Sequence, residues 1–329
     1  MQKTTIPGTD LTVSSLSLGT WAFSGAKIWG SNDDNASVKT VHFALDNGIN
    51  YFDTAEKYGD GKSEEVLGKA LAGKRAQAVI ATKIYTDKLH HDDVIRQCDA
   101  SLKRLKTDYI DIYQIHWPNP DIPAEETFGA FEELKKAGKI RYTAVCNAGA
   151  NCIRELKPYG VVSNQLPYNL IWRIAEKAII PASEEAGVPV WAYVPIAQGL
   201  LTGKFRSIED VPMGRRETRF YSGAWKQGRH SDPGFEKEIF EFIDQLMQFC
   251  EENDLQPAQV AMNFLKRKQS VYSILIGARS IQQLEQNIAS FETVISDDLM
   301  DEIERKSDHL KEVMGDNADL WQGNGGRFY

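Results

Sequence analysis

The chain has 329 residues, a formal net charge of −8 at pH 7, and basic residues that are dispersed along its length. Nucleic acids and anionic membrane surfaces bind clustered positive charge, so we expect neither as a partner and favour a small molecule. A length above about 250 residues is typical of α/β barrels that form one unit, which predicts a single domain over residues 1–329.

The first predicted element is a hairpin at residues 2–13, with Pro7 and Gly8 at its turn. Short apolar runs rich in Val, Ile and Tyr follow it, and amphipathic helical patterns separate them. These candidate strands are residues 16–20, 49–53, 78–82, 109–115, 140–145, 161–165, 188–193 and 272–276.

The candidate strands are almost continuously apolar, as parallel strands covered by helices usually are. Eight of them alternating with helices predict an α/β fold, a closed (β/α)8 TIM barrel, with a doubly wound open sheet as the alternative. The hairpin is then placed to cover the barrel bottom. The polar segment at about 203–234 predicts a functional loop over the mouth. The C-terminal WQGNGGRFY is rich in glycine and predicts a mobile flap.

The cysteines and the N-terminal residues indicate the cellular compartment in which the protein is expected. The four cysteines form no CxxC pair, and a chain of this size needs no disulfides for stability. The first residues lack the apolar core of a signal peptide, and no run approaches about 18 apolar residues. We expect a cytoplasmic protein with reduced thiols and without a metal site or a membrane anchor. A monomer and a homo-oligomer are both compatible with the sequence.

Polar residues follow three neighbouring strands at the edge where barrel enzymes place their active groups. Asp53 ends the second candidate strand, Lys83 ends the third, and His116 follows the fourth, while Tyr58 lies in the loop after the second. Each residue alone has an ordinary explanation as a cap, a solvated charge or a packing side chain. Their shared height on one rim predicts a catalytic cluster.

Proton transfer to a carbonyl oxygen is the chemistry that such a cluster suits. An ammonium group stabilises a nearby phenolate, so Lys83 is expected to lower the pKa of Tyr58 from its usual value of about 10. A buried ammonium needs a carboxylate partner, which explains Asp53 at a strand end. His116 is expected to orient the carbonyl or to pass a proton.

The segments DTAEKYG, ATK, QIHWP and LGTW resemble the signature segments of the aldo-keto reductase superfamily. The resemblance covers essentially the whole chain and is closer to the bacterial, potassium-channel-β-like branch. It implies a (β/α)8 barrel and a catalytic tetrad of Asp53, Tyr58, Lys83 and His116.

The cofactor is indicated first by the residues themselves. No GxGxxG follows a strand, and AQGLLTGKF at 197–205 lacks the spacing of an ATP-binding P-loop. The small residues of that segment, with Lys204, nevertheless suit a pyrophosphate. A helix is predicted just after Arg279, and a guanidinium beside a helix start favours the 2′-phosphate of NADP(H).

The resemblance implies NADPH or NADP⁺ and extends these contacts. It implies that Tyr193 stacks on nicotinamide and that Asn147 and Gln165 bind its carboxamide. Cys146 stands where the family typically has Ser, and a thiol is the weaker donor, so looser binding is expected there. The cofactor-binding set implied in this way is Gly19, Thr20, Trp21, Asp53, Cys146, Asn147, Gln165, Tyr193, Pro195, Ala197, Gln198, Gly199, Leu200, Lys204, Gly277, Arg279, Gln283, Gln286 and Asn287.

Substrate residues are predicted from aromatic and basic side chains near the mouth. Trp29, Tyr85 and Trp117 are expected to line the pocket, with Arg219 at its rim. This combination suits a carbonyl compound that is sugar-like, phosphorylated or otherwise anionic. The leading function is NADPH-dependent reduction of an aldehyde or ketone. An NADP-dependent sugar or polyol dehydrogenase and a nucleotide-sensing regulatory subunit are the alternatives, and the complete tetrad favours catalysis.

Overall fold

In the computed structural model, which describes residues 1–25 and 29–322, eight parallel strands close into a barrel. The last strand pairs with both the seventh and the first, so the described sheet has no free edge. The predicted (β/α)8 TIM barrel is therefore confirmed and the open sheet is excluded. The barrel strands are β3 (Leu16–Gly19), β4 (Tyr51–Asp53), β5 (Val79–Ile84), β6 (Ile110–Ile115), β7 (Ile140–Cys146), β8 (Asn164–Pro167), β9 (Val190–Tyr193) and β10 (Val271–Gly277).

Amphipathic helices cover the outside of the barrel because each has one apolar face to bury. In the first helix, for example, Val41 and Ala44 are buried. Among the described residues, no helix combines the length and the apolar character needed to cross a bilayer. The helices are α1 (Asp34–Asp46), α2 (Lys62–Ala70), α3 (His91–Leu105), α4 (Ala124–Lys136), α5 (Ala150–Leu156), α6 (Ile179–Ala186), α7 (Glu236–Glu252), α8 (Pro257–Lys266), α9 (Ile281–Glu292) and α10 (Asp297–Val313).

The N-terminal hairpin covers one end of the barrel, as predicted. Its strands are β1 (Lys3–Thr5) and β2 (Thr12–Ser14), which pair antiparallel. Ile6, Leu11 and Val13 are buried in one apolar cluster with the barrel-interior residues Tyr51 and Trp191. This end is therefore a packed core, which leaves the opposite, carboxyl end of the strands for a site.

The long segment between β9 and α7 lies at that opposite end. It contains short 3-10 turns at Ile208–Asp210 and Met213–Arg215, and a kinked turn at Ala197–Thr202. A second segment, residues 315–322, follows α10, and we call it the C-terminal strap. Trp321 and Gln322 are the described part of the predicted C-terminal flap, and residues 323–329 lie outside the described residues.

Candidate active site

The carboxyl ends of neighbouring strands bring the predicted tetrad to one rim. Asp53 is the last residue of β4 and lies in register with Ala81 of β5, two residues before Lys83. His116 directly follows β6, and its backbone N–H donates to the β5 carbonyl of Ile84.

Lys83 is the centre of the cluster. Its Nζ donates to Oδ2 of Asp53 at 2.6 Å, to the carbonyl of Thr54 at 2.8 Å and to the hydroxyl of Tyr58 at 3.2 Å. The Lys83 and Asp53 side chains are 0% and 1% exposed. An ammonium group has three donors, and all three have acceptors here. The ring of His116 packs edge-on against Tyr58 with centroids 5.8 Å apart.

The acidity of Tyr58 differs from the sequence prediction. Burial raises the pKa of Tyr58 to about 12, although the neighbouring Lys83 ammonium acts in the opposite direction. The prediction that Lys83 brings this pKa below its usual value is therefore wrong as a net effect. Removing water from the phenolate raises the pKa by more than the Lys83 ammonium lowers it. Burial strongly opposes the charge on Lys83, but Asp53, Tyr58 and Cys146 together outweigh it and raise the pKa of Lys83.

The second carboxylate oxygen of Asp53 is also occupied. Oδ1 accepts a hydrogen bond from Nε2 of Gln165 at 2.8 Å and another from Nε2 of Gln114 at 3.3 Å. The thiol of Cys146 donates in turn to Oε1 of Gln114 at 3.7 Å. Gln114 is absent from the sequence prediction. Its signal was a polar residue inside the apolar strand β6, in register with Lys83.

Asn147 and Tyr193 join two further strand ends. Asn147 has a left-handed backbone with φ 59°, which few residues other than glycine adopt. Its Nδ2 donates to the carbonyl of His116 at 2.9 Å, and its Oδ1 accepts from the hydroxyl of Tyr193 at 2.9 Å. Both predicted cofactor residues are thus fixed beside the tetrad.

Aromatic rings form the wall around Tyr58. Trp21 stacks on Tyr58 with centroids 5.8 Å apart, and Trp29 packs edge-on against Trp21 at 5.3 Å. Tyr85 packs edge-on against His116 at 5.7 Å. Three of the predicted cofactor and substrate residues therefore share one aromatic cluster with the tetrad. Trp117, also predicted to bind substrate, is buried next to His116 in the chain.

The segment after β9 presents an unusual backbone and an amide without internal partners. Ala197, Gln198 and Gly199 all have positive φ, at 47°, 56° and 103°. Both amide atoms of the buried Gln198 side chain lack a hydrogen-bond partner among the described residues. The carbonyl oxygen of Gln198 accepts from Nη1 of Arg215 at 3.3 Å. Lys204 lies at the exposed end of this segment.

Two guanidinium groups lie close together near this segment. Burial and the nearby Arg279 lower the pKa of Arg215. Arg279 donates through Nη1 to the carbonyl of Trp29, and α9 begins just after it, as predicted, with the Ser280 side chain capping the helix. Such a cationic pair beside a helix start suits a phosphate group.

The other predicted cofactor residues surround the same mouth. Gln283 accepts from the backbone N–H of Arg279 at 2.9 Å through Oε1, and Asn287 donates to the carbonyl of Gly277 at 3.4 Å. Thr20 has an internal role, since its hydroxyl donates to the Asp53 carbonyl at 2.8 Å. The remaining positions are the exposed Gln286 on α9, Gly19 at the end of β3, and the buried Pro195 and Leu200 after β9.

Comparison with known proteins decides the family. The model of the "Aldo/keto reductase family" matches residues 15–308. The chain belongs to this family. Aldo-keto reductase YhdN of Bacillus subtilis is 38% identical over 253 residues, which are 73% of this chain and 72% of that protein. The NADH-specific methylglyoxal reductase of Escherichia coli is 32% identical over 322 residues, 90% of this chain and 95% of the relative.

Solved structures agree with this assignment. An aldo-keto reductase from Klebsiella pneumoniae in complex with NADPH has a TM-score of 0.71 at 28% identity, covering 93% of this chain and 95% of its own. A thermostable aldo-keto reductase in complex with the inhibitor epalrestat has a TM-score of 0.73 at 26% identity, covering 93% and 100% of the two chains. This chain is thus an aldo-keto reductase and an oxidoreductase.

Arg219, predicted to bind substrate, has a structural role in this aldo-keto reductase. The residue is 5% exposed, its Nε donates to Asp232 at 2.5 Å, and its Nη1 donates to the carbonyls of Asn317 at 2.7 Å and Asp319 at 3.1 Å. These bonds join the long mouth segment to the C-terminal strap, and substrate binding by Arg219 stays a prediction.

Proposed function

We propose that this aldo-keto reductase reduces an uncharged aldehyde or ketone to an alcohol with NADPH, and that Tyr58 donates the proton to the carbonyl oxygen. The observation that carries the proposal is the buried chain of contacts from Asp53 through Lys83 to the Tyr58 hydroxyl.

The electrostatics suit a proton donor. With its pKa raised to about 12, Tyr58 holds its proton at neutral pH. An alkoxide is a stronger base than a phenolate, so the proton moves to the substrate oxygen as negative charge develops there. Lys83 lies 3.2 Å from the phenol oxygen and stabilises the phenolate that remains. Asp53 keeps Lys83 charged, and the perpendicular ring of His116 beside Tyr58 is proposed to orient the carbonyl.

The residues present fit a nicotinamide dinucleotide, which when bound supplies the hydride. The unpartnered amide of the buried Gln198 needs hydrogen-bond partners that the described protein does not provide. Arg215 and Arg279 place two cations where a phosphate would relieve their repulsion. One relative is named NADH-specific, whereas one structural neighbour contains NADPH. We favour NADPH because the Arg279 guanidinium beside the start of α9 suits a 2′-phosphate.

The nature of the pocket wall supports an uncharged substrate. Trp21, Trp29 and Tyr85 surround the proton donor and the adjacent His116, whereas Arg219 is committed to the C-terminal strap. Aromatic side chains of this kind bind the apolar part of a ligand and leave orientation to a few polar groups. Aldehydes such as methylglyoxal and benzaldehyde therefore fit better than phosphorylated sugars.

Loss of NADPH absorbance in the presence of a panel of carbonyl compounds tests the proposal. We expect turnover with uncharged aldehydes. Reduction of NADP⁺ by sugars or polyols without turnover in the reductive direction would instead show a dehydrogenase. Tight NADPH binding without turnover in either direction would support a regulatory subunit.

A further inference from the structure

The C-terminal strap is held firmly against the mouth of the barrel. Arg219 donates from its backbone N–H to the carbonyl of Leu320 at 2.8 Å, in addition to its side-chain bonds to the strap. The indole of Trp172 donates to the carbonyl of Ala318 at 3.2 Å. Several long-range hydrogen bonds therefore fix the strap directly before the glycine-rich stretch, starting at Trp321, that the sequence predicts to be mobile.

The strap ends in a turn that directs Trp321 into the site. Asp319 is fully buried, and its Oδ1 accepts from the backbone N–H groups of Trp321 at 2.8 Å and Gln322 at 3.0 Å. The ring of Trp321 packs edge-on against Trp21 with centroids 5.8 Å apart. Trp321 thereby joins the aromatic cluster around Tyr58.

A chain of hydrogen bonds leads from Trp321 to the tetrad. Its indole Nε1 donates to the hydroxyl of Tyr193 at 3.1 Å, and that hydroxyl donates to Oδ1 of Asn147 at 2.9 Å. Nδ2 of Asn147 donates to the carbonyl of His116 at 2.9 Å. Because the indole N–H can only donate, the Tyr193 hydroxyl must accept from it and is free to donate only to Asn147. At the other end the carbonyl of His116 can only accept, so the donor indole and the acceptor carbonyl together determine the direction of the chain.

We propose that Trp321 is a positioning residue that fixes Tyr193 and Asn147 for the nicotinamide end of the cofactor. This inference rests on the proposed function, in which Tyr193 stacks on nicotinamide. A phenol held by two hydrogen bonds keeps one ring orientation, so less conformational freedom is lost when a flat ligand stacks on it. The strap thus acts on cofactor binding through Tyr193, from a position 128 residues away in the chain.

A double-mutant cycle tests this inference. Trp321→Phe keeps an aromatic ring and removes the donor, and Tyr193→Phe removes the acceptor. Each change should raise the Kd for NADPH, measured by calorimetry, by about three- to tenfold, the effect of losing one net hydrogen bond. The double variant should bind no more than about twofold weaker than the weaker single variant, since coupled residues are not additive. Tyr142→Phe, which removes a hydroxyl bonded to Asp10 at the other end of the barrel, should leave the Kd unchanged.

Other outcomes would overturn the inference. A Trp321→Phe variant with the wild-type Kd, or a double variant whose loss is the product of the single losses, would show that Trp321 does not act through Tyr193. If Trp321→Phe does not fold, Asp319→Ala releases the same indole and must give the same non-additive result with Tyr193→Phe. Wild-type protein that does not bind NADPH would overturn the proposed function as well, whereas normal binding with an additive cycle would overturn this inference alone.

Discussion

The Nζ atom of Lys83 lies 2.6 Å from Oδ2 of Asp53, and both side chains are excluded from solvent. Two buried charges in contact stabilise each other, but each becomes costly when the other is removed. The same ion pair therefore stabilises the barrel and keeps the Lys83 ammonium, which the proposed chemistry needs, beside Tyr58.

Replacing one member of this ion pair should destabilise the protein more than replacing both members. Asp53→Asn and Lys83→Met should each lower the free energy of unfolding by about 3–5 kcal/mol, because one buried charge is left without its partner. The double variant should recover much of that loss and still lack carbonyl reduction. Urea unfolding together with turnover assays measures both effects. Single variants as stable as the wild type would contradict a buried ion pair.

Gln114 should matter for the same carboxylate. Gln114→Leu removes a donor to Oδ1 of Asp53 and the acceptor of the Cys146 thiol, and should cost about 1–3 kcal/mol of stability. Cys146→Ser keeps a donor to Gln114 and serves as the matched control, with stability close to that of the wild type. Equal stability of Gln114→Leu and the wild type in urea would show that Gln165 alone satisfies Asp53.

The raised pKa of Tyr58 has a spectroscopic consequence. A phenol whose folded-state pKa is about 12 stays protonated where a free tyrosine, with its ordinary value of 10.0, begins to ionise. Its contribution to stability is complete below pH 10 and is lost as the pH rises through about 12. The phenolate absorbance of the wild type minus that of Tyr58→Phe should therefore remain zero up to pH 10. A difference signal with a midpoint near neutral pH would show that Lys83 dominates over burial.

Much of this arrangement was predictable from the sequence, and the reasons are local. Apolar runs and the residues at their ends indicate strands and a shared rim, which is why the barrel and the positions of Asp53, Lys83 and His116 follow from pattern alone. The pKa of Tyr58 was predicted in the wrong direction, because burial depends on packing that no short motif describes.

The contacts of Arg219 and Trp321 lay beyond sequence reasoning for a different reason. Arg219 bonds to carbonyls about a hundred positions away, at a separation of 98 residues for Asn317. In the sequence, a basic residue of the long segment after β9 has the same pattern whether its side chain binds a ligand or another part of the chain. The glycine-rich end of the chain predicts mobility, whereas Asp319 and Tyr193 fix Trp321 through contacts that only the fold creates.

The choice between NADPH and NADH should depend on Arg279. Arg279→Ala should raise the Kd for NADPH by about tenfold or more while changing the Kd for NADH little, because the guanidinium is proposed to bind the 2′-phosphate. Arg154→Ala is the matched control, since its exposed ion pair with Glu185 joins α5 and α6, away from the start of α9. Equal losses for both cofactors would contradict the 2′-phosphate role.

The proposed role of Tyr58 as proton donor is tested most directly by two measurements on Tyr58→Phe. These are its rate of NADPH-dependent aldehyde reduction and its Kd for NADPH. Removal of the hydroxyl leaves the ring that stacks on Trp21, so cofactor binding should stay within about threefold of the wild type. The rate should fall by about 10²–10⁴, the usual contribution of a positioned proton donor. Turnover at close to the wild-type rate in this variant would contradict the assignment of Tyr58 as the acid.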